Sequence, residues 1–155
     1  MSNNEWMNTM SIKIRPLETA DNAEWLLLWK GYLEYYKVDI AEEVTTMTWQ
    51  RILDKDYGIE GLCAIDDNGK LLGLVHFLYH PVTWSIAPRC YLEDLFTSKD
   101  ARGKGVGRAL IEAVYKAADE HGADQVYWLT EDFNKTAQLL YDKVANKTPF
   151  IKYAR

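Results

Sequence analysis

The sequence predicts a single α/β (mixed α+β) domain, with one central, mostly antiparallel sheet of about six to seven strands flanked by four helices. Three observations predict it. The 155 residues suit one core, since domains are usually built from ~100 to 200 residues. Two apolar runs in the middle of the chain flank the turn Asp66-Asp67-Asn68-Gly69, which signals an antiparallel hairpin. The second half then runs strand, helix, strand, which calls for parallel neighbours. No internal repeat, low-complexity tract or linker divides the chain, so residues 1–155 are expected to form one domain, with residues 1–11 flexible.

Ile12 to Arg15 alternates and stops at Pro16, as a first strand would. Asp21 followed by Glu24 resembles a capping box, and Trp25, Leu28, Trp29, Tyr32 and Tyr36 keep helical spacing behind it. The segment from Asp39 to Glu43 is acidic and reads as loop, with a shorter helix from Met47 to Asp54. Leu62–Ile65 and Lys70–Tyr79 are the hairpin strands, and Arg89–Thr97 is the next strand after a loop holding Pro81 and Pro88. A helical stripe of Val106, Leu110, Ala113, Val114 and Ala117 ends at Gly122, where a left-handed cap is expected. Gln125–Thr130 reads as a strand, Asn134 as the cap of a helix reaching Val144, and Phe150–Tyr153 as a short final strand.

Composition narrows the function. Hydrophobic residues at 48% and charged residues at 26% mark a globular chain rather than a disordered one. A net charge of −5 argues against a broad nucleic-acid footprint, which needs cations to neutralise phosphates. The charge is uneven: residues 1–100 hold 16 acids and 9 bases (−7), residues 101–155 hold 7 acids and 9 bases (+2). The second stretch suits an anion and the first a cation. Cys63 and Cys90 lie in apolar runs without metal-ligand spacing, so both are expected to be buried thiols, with no zinc site. The opening Met1 to Met10 lacks the basic and apolar regions of a signal peptide, and no apolar run approaches a membrane span. A cytoplasmic protein without membrane partners is the expectation.

The strongest chemical signal is Arg102-Gly103-Lys104-Gly105-Val106-Gly107, which follows a strand and opens a helix. Small residues allow a tight turn whose N–H groups converge on one point, and the positive helix terminus adds to the pull on an anion. Arg102, Lys104 and Arg108 bring further positive charge. A dinucleotide fingerprint would need glycine where Arg108 stands, and a nucleotide-triphosphatase loop would need Ser or Thr where Gly105 stands. A phosphate-bearing ligand of another kind is left.

Carboxylates precede this loop. Glu93 and Asp94 lie among apolar Leu92, Leu95 and Phe96, where an unpaired charge would be unfavourable and therefore points to use. Adjacent strand residues face opposite sides unless a bulge intervenes, so periodicity does not choose between them. Tyr141 shares the apolar face of its helix with Ala137, Leu140 and Val144, the pattern of a core aromatic. The three histidines, His76, His80 and His121, receive no catalytic role.

The run Arg102 to Gly107 resembles the (Gln/Arg)-x-x-Gly-x-(Gly/Ala) motif of the Gcn5-related N-acetyltransferase (GNAT) superfamily. Tyr91-Leu92-Glu93-Asp94-Leu95-Phe96 is similar to the same element in spermidine/spermine and thialysine acetyltransferases, and Asn134 to Tyr141 resembles the later helix of that superfamily. The ending Lys147 to Tyr153 resembles that of yeast histone and polyamine acetyltransferases.

The resemblance implies acetyl-coenzyme A as cosubstrate, bound where two parallel strands splay. The diphosphate would meet backbone N–H groups of Gly103, Lys104, Gly105, Val106, Gly107 and Arg108. The pantetheine arm would lie along Leu95, Phe96 and Thr97 by strand addition, with Asn134 beside it. An alkyl ammonium, of ordinary pKa about 10.4, must lose a proton before it attacks a thioester. The resemblance gives that proton to Glu93, leaves Asp94 to orient substrate, and makes Tyr141 the donor to the departing thiolate. A backbone N–H near Leu95 would hold the oxyanion. The acceptor would be a polyamine, a lysine-like amino acid or a basic peptide, attacking directly in a ternary complex near Asp39, Glu42 and Glu43. The rival expectation is a coenzyme A sensor without turnover. Many relatives complete the sheet with a terminal hairpin, whereas about one strand fits after Pro149, so an open edge points to a homodimer or larger assembly.

Overall fold

The computed structural model describes residues 10–155. Five strands form one sheet in the order β1-β2-β3-β4-β5: Lys13–Pro16, Ile59–Ile65, Leu71–His80, Arg89–Thr97 and Gln125–Tyr127. The first three junctions are antiparallel and β4 with β5 is parallel, as the strand-helix-strand succession requires. Four helices cover it: α1 Asn22–Tyr35, α2 Glu42–Leu53, α3 Val106–His121 and α4 Lys135–Val144.

Each face of the sheet has its own core. On one side, α3 lays Val106, Leu110, Ile111, Val114 and Ala118 against Val75, Phe77, Cys90 and Leu92. On the other, α1 and α2 bring Trp25, Leu28, Trp29, Trp49 and Ile52 against Cys63, Leu71 and Leu74. The central strand β3 is therefore buried on both faces and reads as a nearly continuous apolar run. The two cysteines are free and buried, and burial pushes their thiols up to about 11 for Cys63 and about 12 for Cys90. α3 ends as its sequence predicts, with Gly122 left-handed at φ 79°. The hairpin turn is fastened by Asp66, whose carboxylate accepts from the N–H groups of Asn68 and Lys70.

Several expectations need correction. Among the described residues the sheet has five strands rather than six to seven, and the second strand begins earlier, at Ile59. β5 stops at Tyr127 instead of reaching Thr130: its pairing with β4 ends at Tyr91 and Tyr127, and Trp128 beyond it packs on Tyr115 and Tyr141. Phe150–Tyr153 forms no strand: Phe150, Ile151 and Tyr153 are 77–88% exposed, so within one chain no apolar surface receives them. α2 begins at Glu42, five residues before Met47, which places Glu42 and Glu43 in a first turn that favours acidic side chains.

The capping box also lies elsewhere. Asp21 accepts from the Glu18 N–H at 2.8 Å and forms a bidentate pair with Arg15 at 2.7 and 2.8 Å, which holds its carboxyl below the usual range. Glu24 instead accepts from the Leu71 N–H at 2.9 Å, tying α1 to β3. Of the segment expected to be flexible, residues 1–9 lie outside the described residues, while Met10 packs on the α3-side core.

Candidate active site

β4 is where the sheet divides. β5 pairs with it only at Arg89, Cys90 and Tyr91, and from Leu92 to Thr97 no described strand covers its outer edge. Backbone groups there are open to an extended ligand. The opening leads directly to the turn 102–105 and the start of α3.

That turn leaves backbone donors free. Gly103 and Gly105 are left-handed at φ 74° and 86°, a conformation costing an L-residue ~1–2 kcal/mol, and a Cβ at either would meet nothing within 4 Å. Glycine is thus required by the backbone turn and not by crowding, and the space over the loop is open. The first intrahelical bond runs from the Ala109 N–H to the Gly105 carbonyl, so the N–H groups of Val106, Gly107 and Arg108 have no helical acceptor. No side chain caps them.

The three bases differ from one another. Arg102 donates to the Thr97 carbonyl at 3.3 Å and lies 5.6 Å over the Phe96 ring, whereas Arg108 pairs with Glu112 at 2.9 Å. Lys104 is exposed. Gly107 faces α4, where an added Cβ would touch Leu140 at 3.4 Å.

At the other end of the opening, β4 carries a bulge. Opposite β3, His76 pairs with Asp94 and Phe77 with Leu92, which leaves Glu93 as the extra residue. The bulge shifts the alternation: Leu92 and Leu95 both pack toward the α3 side, while Asp94 and Phe96 turn toward α1. Asp94 accepts from His76 Nδ1 at 3.0 Å. Glu93 is exposed, yet surrounding protein removes enough water to raise its carboxyl above the usual range, and the Asp94 charge raises it further; Lys152 opposes both. Arg89 lies 3.6 Å from Asp124, so it is engaged away from Glu93.

Helices frame this end. Gly31 lets α1 approach Phe96, whose ring lies 3.0 Å from the Cβ a larger residue would carry. Tyr32 and Tyr36 stand on that helix and its end, their hydroxyl pKa values raised first by burial and then by neighbouring charges, including Asp94. Tyr141 on α4 meets Trp128 edge-on at 5.3 Å, and burial pushes its hydroxyl up to about 12. Asn134 caps α4, accepting from the Ala137 N–H at 3.4 Å. Asp39, Glu42 and Glu43 are exposed.

Glu93, Asp94, Leu95, Phe96 and Thr97 thus share one strand leading into the glycine turn, with Tyr141 and Asn134 on the facing helix. His76 and Tyr32, given no site role from sequence, are brought to Asp94, and Trp25 to the far nitrogen of His76. A histidine inside the apolar run Leu71–Leu78 was the available signal, because a buried imidazole needs polar partners. Two open depressions lie apart from this cleft, one over residues 79–88 and one between α1 and α2. Among the described residues, no cluster of metal-binding side chains occurs and no helix is long and apolar enough to cross a membrane.

The chain is similar to known proteins. The acetyltransferase (GNAT) family model matches residues 24–145. The D-amino-acid N-acetyltransferase HPA3 of Saccharomyces cerevisiae is 41% identical over 145 residues, covering 93% of this chain and 90% of the yeast protein. The thialysine N-epsilon-acetyltransferase of Sus scrofa is 36% identical over 69 residues, 44% of this chain and 39% of that protein. Among solved structures, the aminoglycoside N-acetyltransferase AAC(6')-Iy in complex with a bisubstrate analogue of coenzyme A superimposes with a TM-score of 0.81 at 20% identity, over 94% of this chain and 97% of that one. With the split sheet, the glycine turn and these matches together, the chain belongs to the GNAT acetyltransferase family and is an N-acetyltransferase.

Proposed function

We propose that this enzyme moves acetyl from acetyl-coenzyme A to a primary amine by direct attack in a ternary complex. The observation that carries the proposal is the half-open β4: one strand offers unpaired backbone from Leu92 to Thr97, the glycine turn at one end and a pair of carboxylates at the other. The open space over Gly103 and Gly105, with the uncapped start of α3, fits a diphosphate. Acetyl-coenzyme A, when bound, supplies an activated thioester.

The roles of the chain's own residues follow. The N–H groups of Gly103 to Arg108 hold the diphosphate, with Arg102 and Lys104 adding charge. Leu95, Phe96 and Thr97 align the pantetheine arm, and Asn134 borders it. A backbone N–H near Leu95 supports the developing oxyanion. Glu93, its carboxyl raised above the usual range by burial and the Asp94 charge, takes a proton from the incoming ammonium, and Asp94 orients that ammonium. Tyr141, whose hydroxyl stays protonated at neutral pH, gives its proton to the departing thiolate.

The acceptor is a basic small molecule or peptide: a polyamine, a lysine-like amino acid or a basic tail, to which the name of the yeast relative adds free amino acids. The acidic and aromatic lining by Glu93, Asp94, Tyr32 and Tyr36 supports a cation. Thiol release from acetyl-coenzyme A, measured across polyamines, amino acids of both hands and basic peptides, tests the reading. Binding of coenzyme A without turnover on any amine would replace the enzyme with a sensor.

We also propose that the chain works in the cytoplasm as one acetyltransferase domain and as a homodimer or larger assembly, with the exposed Phe150, Ile151 and Tyr153 covered by a second copy. Light scattering at micromolar concentration should give at least twice the 17.9 kDa chain mass; a monomer would refute the assembly.

A further inference from the structure

His76 takes no part in the reaction above, yet at 1% exposure it is the most buried polar side chain among the described residues. It projects from β3 into the α1–α2 core, with its ring 6.1 Å from that of Trp25 and 5.6 Å from that of Trp29. Trp25 Nε1 lies 3.1 Å from His76 Nε2. An indole nitrogen only donates, so Nε2 must present a lone pair, and the ring proton sits on Nδ1. That nitrogen faces Asp94 Oδ2 at 3.0 Å and donates to it. A doubly protonated ring would set two donors against each other at Nε2. Hydrogen-bond chemistry therefore fixes a neutral imidazole in a single tautomer.

The chain of donors has a direction. It starts at Trp25, which is fully buried, and ends at a carboxylate that keeps 14% of its surface exposed. It ends at the bulge, where Asp94 stands beside Glu93 and near Tyr32. Any buried imidazole needs a partner for each nitrogen, and here the second partner is a carboxylate at the cleft instead of another core group.

We propose that His76 is a positioning residue of the acceptor site: locked by Trp25 as the Nδ1–H tautomer, it holds the Asp94 carboxylate where it anchors the ammonium of the acceptor, leaving Glu93 to take the proton. This rests on the amine-acetyltransferase reading. An ammonium offers three N–H groups, so one stays on Asp94 while another proton passes to Glu93, and the nitrogen lone pair is freed without release of the amine.

Two measurements test it. Long-range nitrogen–proton NMR spectra of protein labelled at histidine, with the His76 ring assigned by its loss in His76→Leu, should show that ring neutral and protonated at Nδ1, apart from His80, whose Nδ1 faces the Pro81 carbonyl at 2.9 Å. Trp25→Phe should abolish that single tautomer. A ring protonated at Nε2, or at both nitrogens, would overturn the proposal without any reference to turnover.

Kinetically, His76→Leu should raise the KM for the amine by about 10-fold or more, with the KM for acetyl-coenzyme A unchanged. His76→Asn places an amide N–H where Nδ1–H stood and should recover most of the loss. Asp94→Asn combined with His76→Leu should lose no more than Asp94→Asn alone. If His76→Leu does not fold, Trp25→Phe should still raise the amine KM selectively. Equal loss for the Asn and Leu variants, a parallel rise in both KM values, or an unchanged amine KM would reduce His76 to a core residue. If wild-type protein acetylates no amine while the tautomer is as stated, it is the reading of the reaction that has failed.

Discussion

At one end of the proposed site, six consecutive residues from Arg102 to Gly107 present mainly backbone; at the other, Glu93, Asp94, His76, Trp25 and Tyr32 come from three elements and present side chains. The first depends on φ angles at Gly103 and Gly105, the second on strand register and on what each side chain touches. Function at the loop should therefore be sensitive to glycine replacement and forgiving elsewhere. At the bulge, single polar atoms should matter.

The largest effect is expected at the loop. Gly105→Glu forces an L-residue into the left-handed region and sets a negative charge where a diphosphate is held, so titration calorimetry should detect no coenzyme binding. Lys104→Ala, which leaves the backbone intact, should weaken binding by less than about 10-fold, as loss of one exposed charge does. Retained binding in the Gly105 variant would break the comparison, because the turn would not be the coenzyme site.

Tyr141 belongs to neither end, lying on α4 between Trp128 and the tyrosines at the end of α1. Its phenylalanine variant keeps the ring and removes the proton, so kcat should fall by ~100-fold or more with both KM values little changed. Unchanged kcat would return Tyr141 to the packing role that its helical spacing alone predicts.

The same contrast explains what was legible in the sequence. The loop is local: glycine spacing, flanking bases, a strand before it and a helix after it are visible within twenty residues, and the structure places the strand and the helix start at the residues read, Arg89–Thr97 and Val106. The bulge is not local. Nothing between Tyr91 and Thr97 says that Phe77 will pair with Leu92 and His76 with Asp94; that is settled by how β3 and β4 fit between two helical layers. So the pair Glu93 and Asp94 was visible as chemistry but not as geometry, and the Trp25–His76–Asp94 chain joins residues 51 and 18 positions apart. The tail failed for a related reason. Phe150 to Tyr153 has a strand's composition, but composition does not supply a neighbouring edge.

Glu93→Gln, whose effect on stability is the smallest expected, separates catalysis from stability. Turnover should fall by about 10-fold or more, and the acid limb of kcat/KM should disappear; in the wild type that limb lies above the ordinary Glu value of about 4.3, because partial burial and the Asp94 charge raise this carboxyl. Coenzyme binding should not change, since the loop is built independently. The stability effect has the opposite sign. A carboxyl raised on folding favours the folded state while protonated, and that contribution is lost as pH rises through the raised value. Gln imitates the protonated form at every pH. The Tm of the variant should therefore match the wild type near pH 4 and equal or slightly exceed it at pH 7, by little because Glu93 is exposed. A variant that is less stable at pH 7 would mean that Glu93 holds the bulge together as a charge, and the acceptor end would then owe its shape to the carboxylate assigned to its chemistry.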